Sequence, residues 1–95
     1  HIITKRELKA FYIQHPDAKN HLLRWFRILS KTDFANVSEL RSSFSNSVDS
    51  VGNKTVFNIG GNKYRLIASI HFNRKKVYIR RILTHVEYDK GAWKQ

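Results

Sequence analysis

The fold is decided in residues 56–66, which read VFNIGGNKYRL. The β-branched and aromatic residues on both sides of the two glycines favour extended strands. Gly60-Gly61 is typical of a two-residue hairpin turn, because glycine readily adopts the positive φ that such turns need. The next strand is predicted over residues 63–72, and its apolar face is Tyr64, Leu66, Ala68, Ile70 and Phe72. The stretch therefore predicts an antiparallel hairpin that buries one face.

Strand patterns continue on both sides of this hairpin. Residues 76–83 read KVYIRRIL and predict a further strand, which is reached through a turn at residues 73–75. Val48 and Val51 indicate a weak strand or a loop ahead of the hairpin, and residues 1–3 are a candidate for a short N-terminal strand. Because short turns join the three later segments, we predict an antiparallel meander.

The N-terminal half has helical periodicity instead. The apolar stripe of a first helix is Leu8, Phe11 and Tyr12. The capping-box spacing Thr4-x-x-Glu7 predicts where this helix begins. Pro16 predicts its end, since the residue before a proline is pushed out of helical geometry.

A second helix follows, with Asp17 as its predicted cap. Its apolar stripe is Ala18, Leu22, Trp25, Phe26 and Leu29. Asn36-x-x-Glu39 repeats the capping spacing and predicts one or two further turns. The predicted fold class is α+β, with an N-terminal helical hairpin packed on a small antiparallel β-sheet. A length of 95 residues leaves room for one domain, residues 1–95.

The composition excludes several classes of protein. The absence of cysteine excludes disulfide scaffolds, thiolate zinc sites and cysteine nucleophiles. The longest uncharged apolar run, residues 66–72, is far too short to cross a bilayer. Charged residues near the N-terminus interrupt any signal-peptide pattern. We therefore expect a cytoplasmic protein with no membrane partner.

The charge is strongly one-sided. Eighteen Lys and Arg against seven Asp and Glu give a formal net charge of +11, and no carboxylate lies between Asp49 and Glu87. Surfaces that serve only solubility usually mix both signs, so this stretch favours a polyanionic partner over a plain solvated face. Nucleic acid is favoured over a membrane, because no predicted helix combines a basic face with a membrane-seeking apolar face.

The C-terminal sequence carries a family resemblance. Residues 78–89 read YIRRILTHVEYD, and residues 57–62 read FNIGGN. Together these segments resemble the HigB-type toxins, a branch of the RelE/ParE superfamily of bacterial toxin–antitoxin systems. The helical hairpin and the strand order extend the resemblance over nearly the whole chain. It implies a RelE-like fold and a ribosome-dependent mRNA endonuclease that is neutralised by a helix-turn-helix antitoxin of the HigA type.

The residues themselves suit metal-independent RNA cleavage. A 2′-hydroxyl must lose a proton, the phosphorus transition state must be stabilised, and the leaving 5′-oxygen must gain a proton. Histidine, glutamate and tyrosine transfer protons, and the planar fork of arginine binds phosphate oxygens. The candidates are His85, Glu87, Tyr88, Arg65 and Arg80. A magnesium-dependent nuclease needs clustered carboxylates, which residues 50–86 lack, so we expect no metal and no cofactor.

The resemblance assigns roles among these candidates. It makes His85 the first choice for general acid or base, and it places Arg65 and Arg80 at the scissile phosphate. Tyr88 either stacks on a base, assists proton transfer or packs the tail against the sheet. Glu87 is a weaker candidate base, because a carboxylate among many cations stays ionised. Each of these residues also has a purely structural interpretation, as a solvated, paired or packing side chain.

The choice between Arg80 and Arg81 stays open from sequence. Strict alternation groups Arg80 with Tyr78 and Ile82, and Arg81 with Ile79 and Leu83. Further contacts with RNA are predicted for Lys54, Lys63, Arg74, Lys75, Lys76 and Arg81.

Three functions remain open at this point. The first is the ribosome-dependent endoribonuclease, with the ribosome, mRNA and the antitoxin as partners and with promoter DNA bound only by the toxin–antitoxin complex. The second is a toxin of the same superfamily that inhibits DNA gyrase. The third is an RNA-binding module that does not cleave. The proton-transfer residue His85 favours the nuclease.

Overall fold

The computed structural model describes residues 5–31, 34–44, 47–61, 63–91 and 93. The predicted strand at residues 1–3 and the predicted cap Thr4 lie outside them. Within the described residues the chain has four helices and four strands, which confirms the α+β fold class. The elements are α1 (Lys5–Gln14), a 3₁₀ turn (Pro16–Ala18), α2 (Lys19–Lys31), α3 (Val37–Ser43), β1 (Val48–Val51), β2 (Lys54–Ile59), β3 (Tyr64–His71), β4 (Lys76–Thr84) and α4 (His85–Lys90).

The four strands form the predicted antiparallel meander. Their order in the sheet is β1-β2-β3-β4, and every neighbouring pair is antiparallel. Gly60 and Gly61 have φ values of 62° and 70°, which confirms the turn between β2 and β3. The helix α4 was not predicted. It follows β4 directly, because Thr84 caps it: the Thr84 side chain accepts a hydrogen bond from the Glu87 N–H.

The main core lies between the helices and one face of the sheet. It is built from the predicted stripe of α2 and from alternate residues of the central strands, and it includes Leu8, Leu22, Trp25, Leu29, Phe57, Leu66 and Ala68. The Trp25 and Phe57 rings meet edge to face with their centroids 5.4 Å apart. Both rings are buried. This packing confirms the helical hairpin on the sheet.

Asp17 does not act as predicted at the start of α2. It lies inside the 3₁₀ turn, and its Oδ1 accepts a 2.7 Å hydrogen bond from the Tyr64 hydroxyl. Its Oδ2 lies 3.6 Å from the Lys63 ammonium. The Asp17 carboxylate therefore binds Tyr64, which is distant in sequence, instead of capping α2 as the local sequence predicted. This contact fastens the corner between α1 and α2 to the start of β3.

Replacing Tyr64 with phenylalanine is expected to lower the free energy of unfolding at neutral pH. The hydrogen bond from Tyr64 is the main cause that holds the pKa of Asp17 below its ordinary value of 3.8. A carboxylate with a depressed folded-state pKa stabilises the fold above its unfolded pKa, and this stabilisation is lost as the pH falls through the folded pKa. Urea unfolding of both proteins at neutral pH and in acid measures the difference, which should shrink in acid. A difference that does not change with pH would contradict this role of Asp17.

Candidate active site

A β-bulge in β4 decides which side chains share the sheet face opposite the helices, which we call the outer face. Ile67 pairs with Arg81 but Ala68 pairs with Ile79, so Arg80 is an extra residue without a partner across the ladder. The bulge breaks strict alternation. Ile79 and Ile82 therefore both pack on the main core, contrary to the grouping predicted from sequence.

Both arginines of β4 consequently lie on the outer face. Arg81 is the cross-strand neighbour of Ile67, which belongs to a small apolar cluster on that face. The Arg80 Nε donates a 3.0 Å hydrogen bond to the Ser69 hydroxyl. Ser69 alternates with Ile67 on the same side of β3. Either arginine could therefore contact RNA from the same surface, and their orientation alone does not choose which one binds the scissile phosphate.

Arg65 is buried, and two contacts position its guanidinium. It is 9% exposed, and its guanidinium donates a 3.2 Å hydrogen bond to the Tyr64 carbonyl. The guanidinium carbon lies 5.3 Å from the centre of the Tyr88 ring. A cation packed against an aromatic face in this way loses little conformational entropy when it binds an anion. The structure therefore brings together Arg65 and Tyr88, two of the predicted site residues.

Trp93, which the sequence analysis does not place, completes this arrangement. Its ring stacks on Tyr88 with centroids 5.0 Å apart, and its Nε1 donates a 2.9 Å hydrogen bond to the Tyr88 carbonyl. Trp93 is buried with Val56 and Ile67 in the apolar cluster of the outer face. The only signal in the sequence is an indole near the end of a basic chain, which does not reveal a packing partner. Tyr88 thus lies between Arg65 and Trp93, next to the apolar cluster of the outer face. This position favours the interpretation that Tyr88 packs the tail against the sheet.

His85 is the first residue of α4 and lies at the end of the sheet where Arg65 lies. Its backbone N–H donates a 2.9 Å hydrogen bond to the Lys63 carbonyl. Its Nδ1 lies 2.8 Å from Oδ2 of Asp89, one helical turn later. A proton on Nδ1 that is donated to Asp89 leaves the Nε2 lone pair to accept another proton. The imidazole is exposed and can therefore reach a substrate.

Glu87 is engaged at the start of α4. Its carboxylate accepts a 3.0 Å hydrogen bond from the Thr84 N–H, and its own N–H donates to the Thr84 hydroxyl, which makes a complete capping box. The Thr84 N–H is the main cause that lowers the pKa of Glu87 below 4.5. Hydrogen bonding to the charged form makes a carboxylate a weaker base. The geometry thus gives Glu87 a part in holding α4, next to His85.

The other predicted cations lie at three places on the sheet. Lys63 lies beside the His85 end of the sheet, where its ammonium faces Asp17. Arg81 lies near the middle of the outer face. The remaining four lie at the opposite end of the sheet, in the turn between β3 and β4 or at strand starts: Lys54, Arg74, Lys75 and Lys76. The structure therefore does not gather all predicted RNA contacts at one point, but spreads them between the two ends of the sheet.

Among the described residues, no three side chains of histidine, aspartate or glutamate are grouped so that they could hold a metal ion. In the same part of the chain, every helix is too short or too polar to cross a membrane.

The comparisons with known proteins identify the family of the chain. Residues 18–91 match the family model described as HigB toxin, a RelE-like toxic component of a toxin-antitoxin system. The chain belongs to the HigB toxin family. This confirms the resemblance inferred from the FNIGGN and THVEYD segments.

Curated members of the HigB family cover almost the whole chain. The mRNA interferase toxin HigB of Escherichia coli K12 is 35% identical over 92 residues, which cover 94% of this chain and 88% of that protein. The mRNA interferase HigB of Shigella flexneri matches to the same extent. The mRNA interferase HigB of Escherichia coli O6:H1 is 33% identical over 93 residues, with coverage of 95% and 89%. The matched family region contains Arg65, His85 and Tyr88.

Proposed function

We propose that this HigB-family chain is an endoribonuclease that cleaves mRNA during translation on the ribosome. One observation carries the proposal: the buried, ring-packed Arg65 and the Asp89-oriented His85 lie at the same end of the sheet. Anion binding and proton transfer are the two functions that metal-independent RNA cleavage needs. The relatives named mRNA interferase supply the substrate class.

The chemistry follows from these two side chains. The 2′-hydroxyl of the RNA loses its proton, its oxygen attacks the adjacent phosphorus, and the bond from phosphorus to the 5′-oxygen breaks. The products are a 2′,3′-cyclic phosphate and a 5′-hydroxyl, so no water or cofactor is consumed. His85 accepts the 2′-hydroxyl proton at Nε2, and the leaving 5′-oxygen takes up a proton from solvent. Arg65 binds the phosphate oxygens, which gain charge in the transition state.

The remaining candidates support this centre. Tyr88 holds Arg65 through its ring, and Glu87 holds the first turn of α4, so that both act on the geometry of the reacting groups. Arg81 on the outer face and Lys63 beside the His85 end of the sheet are the cations near this centre, and we propose that they contact the RNA backbone. Arg80 is bound to Ser69, further along β3, and contacts a neighbouring part of the RNA rather than the scissile phosphate.

The proposed partners follow from the charge and the family. A net charge of +11 far exceeds what one phosphate requires, which supports docking to ribosomal RNA. Membership in a family of toxic components implies an antitoxin. We propose a HigA-type antitoxin and expect promoter DNA to be bound by the complex of the two proteins.

The test uses two reporter mRNAs that differ only in their start codon, so that only one is translated. The protein is expressed without antitoxin, and new mRNA 5′ ends are mapped by primer extension. Cleavage is expected only within the reading frame of the translated reporter. Equal cleavage of both reporters would contradict ribosome dependence. Growth arrest without new 5′ ends would contradict the nuclease and favour a gyrase-type toxin, and RNA binding without either effect would favour a binding module.

A further inference from the structure

A second cluster lies on the outer face, at the end away from His85. The Arg80 guanidinium carbon lies 5.6 Å from the centre of the Tyr78 ring. The His71 ring meets the Tyr78 ring edge to face, with centroids 5.4 Å apart and an interplanar angle of 87°. Ser69 holds Arg80 in place through the 3.0 Å hydrogen bond described above. We call Ser69, His71, Tyr78 and Arg80 the Tyr78 cluster.

The main core does not account for the Tyr78 cluster. Tyr78 belongs to neither apolar cluster of the described residues, and it is half-buried while His71 and Arg80 are exposed. A planar guanidinium and two rings therefore line a surface that faces away from the helices. Bases of single-stranded nucleic acid stack on such aromatic and guanidinium planes.

The charges that adjoin the Tyr78 cluster along the chain are of one sign. Arg74, Lys75 and Lys76 lie in the adjoining turn or directly after it. No carboxylate occurs in the sequence between Asp49 and Glu87. Asp49 lies on β1, three strands away from β4, which corresponds to about 14 Å. An anionic ligand with flat, unpaired rings fits this surface better than an acidic peptide, since a peptide offers charge without a row of planar groups.

The Tyr78 cluster is separate from the candidate active site. Ser69 lies four residues beyond Arg65 along β3, which corresponds to about 13 Å in an extended strand. The two clusters therefore cannot bind the same phosphate group. They can bind different nucleotides of one RNA strand that runs along β3 and β4, with the exposed Arg81 between them.

We propose that the Tyr78 cluster is a nucleotide-binding subsite for single-stranded RNA, which stacks a base at a fixed distance from the nucleotide cleaved near His85. The inference rests on the proposed function, because it takes the substrate to be RNA. It adds a position at which a base stacks. Tyr78 and His71 then contribute to RNA binding, which the charge pattern alone does not indicate.

The test measures the affinity for a single-stranded RNA of about 12 nucleotides that carries 2′-fluoro groups, which block cleavage and so separate binding from catalysis. Fluorescence anisotropy gives Kd over a range of salt concentrations. Tyr78→Leu is expected to weaken binding about 10-fold or more, since stacking on an aromatic ring is lost. Tyr78→Phe should retain the affinity within about 2-fold, because the ring remains. The slope of log Kd against log salt should stay unchanged, since neither substitution removes a charge.

A matched control is available on the helical side. Tyr12 is also half-buried, and the Lys19 ammonium lies 5.7 Å from the centre of its ring, so that Tyr12→Leu removes the same kind of contact from another surface. Thermal unfolding by circular dichroism confirms that each variant is folded. Equal affinity of Tyr78→Leu and the unchanged protein would overturn the inference, as would equal weakening by Tyr12→Leu. If Tyr78→Leu weakens only the complex with an antitoxin, the surface binds protein and the inference is wrong.

The proposed subsite and the proposed nuclease activity can be disproved separately. A chain that binds the 2′-fluoro RNA through Tyr78 but produces no new mRNA 5′ ends would keep the subsite and lose the nuclease. A chain that cleaves translated mRNA while Tyr78→Leu binds RNA normally would keep the nuclease and lose the subsite.

Discussion

His85→Ala is expected to reduce the cleavage of translated mRNA by about 10²- to 10⁴-fold, the range that one acid–base group contributes. The imidazole is the exposed proton-transfer group at the Arg65 end of the sheet, and Asp89 orients it through a 2.8 Å contact. Alanine removes the proton acceptor and keeps the capping of α4, which depends on Thr84 and Glu87. Primer extension on the translated reporter measures the loss, and thermal unfolding shows that the variant remains folded.

Two controls separate proton transfer from other effects at His85. His21→Ala removes an exposed histidine from α2, on the other side of the sheet, and should leave cleavage unchanged. Glu87→Gln keeps an oxygen that can accept the Thr84 N–H and removes only the carboxylate charge, so cleavage should fall far less than with His85→Ala. Cleavage that persists in His85→Ala and disappears in Glu87→Gln would transfer the proton-transfer role to Glu87.

Arg65→Lys is expected to lower the cleavage rate by about 100-fold or more, although the positive charge is conserved. Arginine binds two phosphate oxygens with a rigid planar fork, and an ammonium group cannot reproduce that geometry. The loss of a single transition-state donor commonly costs two to three orders of magnitude. The rate is measured by following mRNA cleavage over time in a reconstituted translation system.

The matched control for Arg65→Lys is Arg27→Lys. Arg27 is an exposed residue of α2, and this variant should cleave at the rate of the unchanged protein. Comparison of the two melting temperatures shows whether the buried position of Arg65 tolerates lysine. A folded Arg65→Lys protein that cleaves at the normal rate would show that Arg65 serves packing against Tyr88 and does not bind the scissile phosphate.

Much of the fold could be predicted from local patterns. The Gly60-Gly61 turn requires positive φ, which glycine supplies, and the structure has it there. The stripe of Leu22, Trp25 and Leu29 has helical spacing and is buried against the sheet. These features depend on a few neighbouring residues, so the chain specifies them locally. The family was also predicted from two short segments, and the family match over residues 18–91 confirms it.

The candidate site could be predicted in composition but not in arrangement. The sequence supplied His85, Arg65 and Tyr88 as reactive residue types, and it left the partners of each open. His85 contacts Asp89 within α4, the helix that was not predicted. Arg65 contacts the Tyr88 ring of the same helix, and Trp93 stacks on that ring. Contacts of this kind depend on how elements pack, and hydrophobic periodicity carries no information about them.

Residue type and local spacing are enough to predict the order of the first three helices and of β2, β3 and β4, the buried stripes, the one-sign charge and the family. The face that each arginine of β4 occupies depends instead on how the strands pair. One extra residue at the bulge shifts the alternation, so that Arg80 and Arg81 share the outer face. Tertiary packing likewise makes Asp17 bind Tyr64 rather than a helix end, since a hydrogen-bond partner 47 residues away competes with the local cap.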